Sequence, residues 1–425
     1  MDFKSFNLND RIQAGVQSEG YTIPTPIQVK AIGPIMEGRD VMGLAQTGSG
    51  KTAAFVLPIL HRLLKGRMGA PRVLIVAPTR ELAEQIHQTV KSLGRHTRIR
   101  SMTIYGGVGI EPQAQKIKKG VEVIVGCPGR ILDHLNRGTL NLSEVDVLVL
   151  DEADHMFDMG FLPDIRRIIG RAPKKRQTLL FSATMPKEIS ALANDFLTTP
   201  VEVRINAGEP VTSVSHTLFP VQPQEKTAAL IRILKDTGNG PVLVFTRTKR
   251  RAKRLGLQLY KAGFMASSIQ GNLSQNQRQA ALDGFKNGRY RILVATDIAA
   301  RGIDVAKVSH VINFDMPAST DAYIHRIGRT GRASHSGEAF TFFTDEDSQM
   351  VRDIDRILGT RVETRRLADF SYERPGAPSD SKHGAGSKNH SSNRGAAAAR
   401  SADNSGKSKP ERRDTWALSK AVSIA

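Results

Sequence analysis

No stretch constrains the fold more than Val145-Asp146-Val147-Leu148-Val149-Leu150-Asp151-Glu152-Ala153-Asp154. Five of its first six residues are apolar and β-branched or leucine, the pattern of a strand buried on both faces. A strand covered on both sides implies a parallel sheet between two helical layers. The run then stops on three acids within four positions. In an open α/β sheet, ligands sit beyond the carboxyl ends of the strands. Asp151 could hold Mg2+ there and Glu152 could polarise a water. The same acids could equally form an acidic turn capping the next helix. The choice turns on whether the chain also supplies a phosphate cradle.

Asp40–Leu44 reads as a short strand entering Ala45-Gln46-Thr47-Gly48-Ser49-Gly50-Lys51-Thr52. Glycines let backbone N–H groups turn toward phosphate oxygens, and the following helix presents its positive end. In that pattern Lys51 reaches the β- and γ-phosphates, and the Thr52 hydroxyl ligates Mg2+. Upstream, two prolines fix Gly20-Tyr21-Thr22-Ile23-Pro24-Thr25-Pro26-Ile27-Gln28, and Pro26 can open a helix carrying Gln28.

Further strands end in small or polar residues. Arg72–Ala77 leads to Pro78-Thr79-Arg80, Ile104-Tyr105 to Gly106-Gly107, and Val123–Cys127 to Pro128-Gly129-Arg130. Thr79 reads first as a helix cap, but together the three exits suggest contacts to a nucleic-acid backbone. Gln177–Phe181 ends in Ser182-Ala183-Thr184, hydroxyls that either cap a helix or bond the acids after Leu150.

A second strand-helix series follows, with strands expected at 216–221, 241–245, 265–269, 291–295, 308–313 and 339–343. It carries Thr296 after a strand, then Arg301-Gly302-Ile303-Asp304, and later His325-Arg326-Ile327-Gly328-Arg329-Thr330-Gly331-Arg332. Arginines every three residues with glycine between suit bidentate phosphate contacts, and also suit a solvated basic face. The reading is α/β: residues 1–206 form one parallel-sheet domain, 207–215 a linker, 216–372 a second domain and 373–425 a basic tail expected to be disordered.

The formal charge of +20 favours a polyanionic partner. From Arg374 onward there are ten Lys/Arg against four Asp/Glu, so most of the excess lies in the folded part. Cys127 is the single cysteine, which rules out an internal disulfide in a monomer and a cysteine-based zinc site. No secretory leader and no membrane-length apolar run is read, so the expected location is cytoplasmic.

In order, GYTIPTPIQ, AQTGSGKT, PTREL, GG, PGR, DEAD, SAT, ARGID and HRIGRTGR resemble the DEAD-box RNA helicases of superfamily 2 over residues 1–360. The resemblance accounts for Ala45 opening the loop. It implies two tandem RecA-like domains whose cleft closes on ATP and RNA, and it implies roles. Gln28 would read adenine, with Tyr21 and Phe3 nearby, and residues 45–52 would hold the phosphates. Asp151 would take the metal with Thr52, and Glu152 would activate water, with Lys51, Arg329 and Arg332 stabilising charge. Asp304 would contact ribose. Asp154, Ser182, Thr184 and His325 would couple the domains. Thr79, Arg80, Gly107, Arg130, Arg278 and Thr296 would hold the RNA backbone. The family usually has Thr where this chain has Cys127, and a thiol is a weak donor. The short core and basic tail resemble the bacterial RhlE type.

The activity implied is ATP-dependent, local, non-processive unwinding of short RNA duplexes or remodelling of RNA–protein complexes. Ribosome-assembly or RNA-decay proteins would be its protein partners, with no membrane. The other readings are an ATP-gated RNA clamp within a ribonucleoprotein and a DNA translocase.

Overall fold

A computed structural model describes residues 2–46, 48–205, 214–300, 308–331, 337–368 and 370. The apolar runs at 73–76, 123–126, 147–150 and 177–182 become strands with no solvent face. β1 (Val41–Leu44), β2 (Val73–Val76), β3 (Ser101–Ile104), β4 (Val123–Gly126), β5 (Val147–Leu150), β6 (Gln177–Ser182) and β7 (Val201–Arg204) form one sheet, ordered β3-β4-β2-β5-β6-β1-β7. Every pairing in it is parallel. Alternate side chains feed two cores. Val73, Ile75, Val147, Val149 and Leu179 pack under helices Pro26–Met36, Lys51–Leu63 and Arg80–Leu93. Leu74, Val76, Leu148, Leu150 and Leu180 pack under Pro128–Asn136, Leu162–Arg171 and Lys187–Phe196. Each such Val or Leu contributes roughly 1.5–3 kcal/mol by leaving water, which is why both faces must be covered.

The second sheet contains β8 (Val214–Pro220), β9 (Val242–Phe245), β10 (Ala266–Ile269), β11 (Ile292–Ala295), β12 (His310–Asn313), β13 (Gly337–Phe343) and β14 (Glu363–Thr364). Its order, β10-β11-β9-β12-β13-β8-β14, repeats the first sheet strand for strand, again all parallel. The expected linker is shorter than read: Val214 and Ser215 already pair with Gly337 and Glu338. Thr47, Asp304, Arg332, most of the linker and the tail with Trp416 lie outside the described residues.

Because all strands run the same way, every strand exit lies on one edge, and strand order divides that edge. In the first sheet the exits of β3, β4 and β2 carry Gly107, Arg130, Thr79 and Arg80, while β5, β6 and β1 carry Asp151, Ser182 and the glycine-rich loop. The backbone-contact candidates and the phosphate-site candidates thus occupy neighbouring halves of one surface.

Candidate active site and nucleic-acid interface

The phosphate loop is built against the segment that precedes it. Gly50 sits at φ +95°, and a Cβ there would lie 2.7 Å from both Gln28 Nε2 and Thr25 Oγ1, so only glycine allows the approach. Gln28 is buried below the loop. Its Nε2 donates to Gly50 O at 3.2 Å, and its Oε1 accepts the Thr25 N–H at 2.9 Å. Lys51 opens helix Lys51–Leu63, and its Nζ folds back to donate to Ala45 O at 2.7 Å. Ser49 Oγ is buried with no protein partner, and Gln46 and Gly48 face solvent. Tyr21 stands 38% exposed with its ring 6.0 Å from that of Phe3, an aromatic shelf beside the same segment.

At the end of β5 the acids are buried, and each is handled differently. Burial pushes Asp151 up to about 7, against the pull of Lys51 and with the Glu152 charge adding to the rise. A buried carboxyl in that condition suits a bound cation. Together with the half-buried Thr52 hydroxyl it offers the hard oxygen donors that Mg2+ takes, so these residues fit the ion. Glu152 is non-glycine yet left-handed, at φ 52° and ψ 54°, a strained backbone of the kind concentrated at working sites. Burial raises its carboxyl, but His155, Arg329 and Lys51 together outweigh this and hold it well below the usual range. Asp154 faces the other way. Its Oδ2 accepts the N–H groups of Ala183 and Thr184 at 3.1 and 2.8 Å and the Thr184 hydroxyl at 3.0 Å, while its own N–H donates to Ser182 Oγ at 3.2 Å. The three acids are therefore not one cluster doing one task.

The second domain completes this site. His325, on helix Thr320–Ile327, approaches His155 within 3.2 Å, and Arg329 follows one turn later, 5% exposed. Arg326 departs from the phosphate role that its spacing suggests. Its guanidinium is buried inside its own domain, donating to Asp297, to Asn313 Oδ1 at 3.1 Å and to Asp315 O at 2.8 Å. In the topological copy of the phosphate loop, after β8, Val221–Glu225 contains no glycine. Lys226, at the start of the next helix, is 3.7 Å from Asp315, which also takes Arg251 at 2.5 Å. The protein's own ions fill that position, so the two equivalent strand exits differ in chemistry.

Toward β3 and β4 the backbone-contact candidates meet. Gly107, at φ +82°, lets Arg80 lie so close that a Cβ would be 2.1 Å from its Nη1. Arg130 Nη1 donates to Val108 O at 3.0 Å. Thr79 caps helix Arg80–Leu93, accepting from the Leu82 N–H at 3.3 Å. Cys127 precedes helix Pro128–Asn136 half-buried, and burial pushes its thiol up to about 12. Across the domains, Arg278 Nε donates to Glu81 Oε1 at 2.7 Å and Gln275 Nε2 to the same oxygen at 3.3 Å. Arg278 thus holds the domains together through Nε, a task its sequence position did not indicate. Thr296 sits partly exposed at the exit of β11. His155, Glu81 and Gln275 are the site residues that sequence reasoning missed. Helical spacing after Glu152 flagged His155 only weakly, the PTREL signature contained Glu81 without giving it a role, and nothing local flagged Gln275.

Residues 25–192 match the DEAD/DEAH box helicase model, and residues 225–334 match the helicase conserved C-terminal domain. The chain is 43% identical over 362 residues to the DEAD-box ATP-dependent RNA helicase CshA of Bacillus cereus, covering 85% of this chain and 69% of that protein. Against CshA of Bacillus subtilis it is 42% identical over 364 residues, covering 85% and 73%. Among solved structures it superposes on S. cerevisiae Dbp5 bound to RNA and ADP BeF3 with a TM-score of 0.78 at 30% identity, covering 86% of this chain and 95% of that one. These relatives carry the CshA name, so the RhlE likeness drawn from the tail is not carried forward. Among the described residues, no helix is long and apolar enough to cross a membrane.

Proposed function

The chain belongs to the DEAD-box ATP-dependent RNA helicases, with ATP as its substrate and RNA as its partner, and on that premise we propose how its residues divide the work. Lys51 and the backbone of Ala45–Thr52 hold the phosphates, and the Ser49 hydroxyl adds a donor at the loop. Each end of the Gln28 amide keeps capacity for one more hydrogen bond, which matches the donor and acceptor on one edge of adenine. Tyr21 and Phe3 offer the base an adjacent aromatic surface. Asp151 and Thr52 would hold Mg2+, which when bound neutralises charge developing on the phosphate oxygens. Asp304 takes the ribose.

Glu152, kept ionised by His155 and Arg329, accepts the proton of the attacking water. Arg329, with Arg332, stabilises the transferring phosphoryl, a contribution of roughly 10³–10⁵ in rate where such arginines act. One observation supports this assignment: Glu152 is bonded to His155 at 2.9 Å and His155 meets His325 of the other domain at 3.2 Å, so the hydrolytic site is whole only when the domains meet. Asp154, Ser182, Thr184 and His325 relay that meeting. Thr79, Arg80, Gly107 and Arg130 on one domain, and Arg278 and Thr296 on the other, grip one strand through its backbone and dislodge its partner locally. Backbone contact implies little sequence preference and steep salt dependence.

The Glu152→Gln variant tests the central role. It should bind ATP with unchanged affinity and turn over at least ~10²-fold more slowly, the usual size of an acid–base contribution. Near-normal kcat would remove Glu152 from that role. A duplex-displacement assay with ATP tests the mode, and RNA binding without displacement would leave an RNA clamp instead.

A further inference from the structure

His155 lies within the site but belongs to none of the recognised motifs. It occupies the first turn of helix Ala153–Asp158, its side chain is 1% exposed, and both of its ring nitrogens are engaged. A carboxylate only accepts, so Nδ1–H donates to Glu152 Oε2, at 2.9 Å. Nε2 lies 3.2 Å from Nδ1 of His325 on the second domain, with the rings at 88° and their centroids 4.6 Å apart. With His155 neutral, Nε2 presents a lone pair and His325 Nδ1–H donates to it. With His155 protonated, Nε2–H donates to a His325 lone pair. The bridge stands in either case because His325 stays neutral: burial, then the neighbouring His155, pushes it down to about 4.

The ring thus has one nitrogen on the water-activating carboxylate and the other on the opposing domain. Glu152 itself sits in a strained left-handed conformation at the start of the helix, the kind of backbone that persists where surrounding contacts hold it. We propose that His155 is a positioning residue that transmits domain closure to Glu152. When the second domain docks, His325 fixes the His155 ring, and the ring holds the carboxylate in the aim that activates water. When the domains part, the ring loses one of its two anchors and the carboxylate loses its fixed aim. RNA, by favouring the docked arrangement, would switch hydrolysis on through this bridge. The inference rests on Glu152 being the group that activates water.

The test compares His155→Phe, His155→Asn, His325→Phe and the His155→Phe/His325→Phe double variant in the full chain. His155→Phe keeps the ring volume and loses both hydrogen bonds, whereas Asn keeps a donor near the Nδ1 position. ATPase at saturating ATP and RNA should fall about 10²-fold in His155→Phe, the scale of a misplaced catalytic group. KM for ATP should stay within about twofold of wild type, since neither nitrogen is placed on a ligand, and the RNA needed for half-saturation should rise by no more than the loss of one neutral interdomain hydrogen bond allows, about fivefold. His155→Asn should recover about tenfold of the loss in kcat, and it serves alone if the Phe variant does not fold. The double variant should be no slower than the slower single, because both break one bridge. Unchanged kcat in His155→Phe, no recovery in His155→Asn, or multiplicative losses in the double variant would each overturn the proposal. Glu152→Gln, assayed alongside, separates the two levels. If it stays active, the role of Glu152 fails and this inference with it. If it is inactive while His155→Phe is normal, only the bridge fails.

Discussion

Replacing Glu81 by Gln probes how the two domains are held together, and the structure sets the size of the effect. The Glu81 side chain is 1% exposed and the Arg278 side chain 10%, with Nε and Oε1 2.7 Å apart. Gln has the same shape and can still accept from Arg278, but without charge. Arg278 keeps its charge, so the bond that remains is still charge-assisted and what is lost is the ion-pair attraction, roughly 0.6–2 kcal/mol for a pair between the exposed and the fully buried case. When the domains separate, both groups return to water, so the lost increment falls on the docked state alone. Glu81 also lies in the first turn of helix Arg80–Leu93, where an acid is favoured, but that benefit exists in both states and cancels. The docked-to-separated ratio should therefore drop by about 3- to 30-fold, from ~0.6–2 kcal/mol. Dyes placed on the two domains would report docking by energy transfer. The non-hydrolysable ATP analogue needed for half-closure at fixed RNA should rise by that factor, as should the RNA needed for half-maximal ATPase. Tm should not change, since each domain keeps its own core. The Glu81→Ala/Arg278→Ala double variant should lose less than the two singles combined, because removing one partner of a buried pair leaves the other uncompensated. An unchanged closure midpoint, or additive losses, would refute the assignment of this pair as an interdomain tie.

Gly107→Ala forces a side chain into a left-handed position and against Arg80 Nη1 at 2.1 Å, so RNA affinity should fall about tenfold with ATP binding unchanged, read by fluorescence anisotropy. Cys127, with its thiol pushed up to about 12, should alkylate at pH 8 about 10³-fold more slowly in the native chain than in urea, because only the thiolate reacts; equal rates would contradict its burial. Deleting the residues after Glu373, which carry ten Lys/Arg against four Asp/Glu, should weaken RNA binding and flatten its dependence on log salt while basal ATPase persists. Unchanged affinity would assign the tail to another task.

Much of this protein could be read along the chain. Val73–Val76 and Val147–Leu150 are apolar at every position, and a four-residue strand of that kind is stable only between two covering layers, so the parallel α/β class followed directly. Gly50 and Lys51 at fixed spacing mark a phosphate cradle, because a tight turn of inward N–H groups needs glycine where a Cβ would collide. Such features are local, set by the covalent geometry of a few adjacent residues. The start of β8 at Val214 was not legible, since Val214-Ser215 carry little periodicity of their own and become strand by pairing with Gly337 and Glu338.

The tertiary structure alone decided which distant groups became partners. Arg326 and Arg329 lie three residues apart in one arginine run. The strand order brings Asn313 and Asp297 to the first and the opposing Glu152 to the second, so one turns inward and the other into the site. Glu81 meets Arg278, and His155 meets His325, across 197 and 170 residues of sequence, so neither pairing follows from local spacing. A side chain's charge and hydrogen-bonding capacity are written in its residue type, but its partner depends on which elements fold against it. The chemistry was therefore visible in the sequence, and the contacts that join the two domains became visible only in the fold.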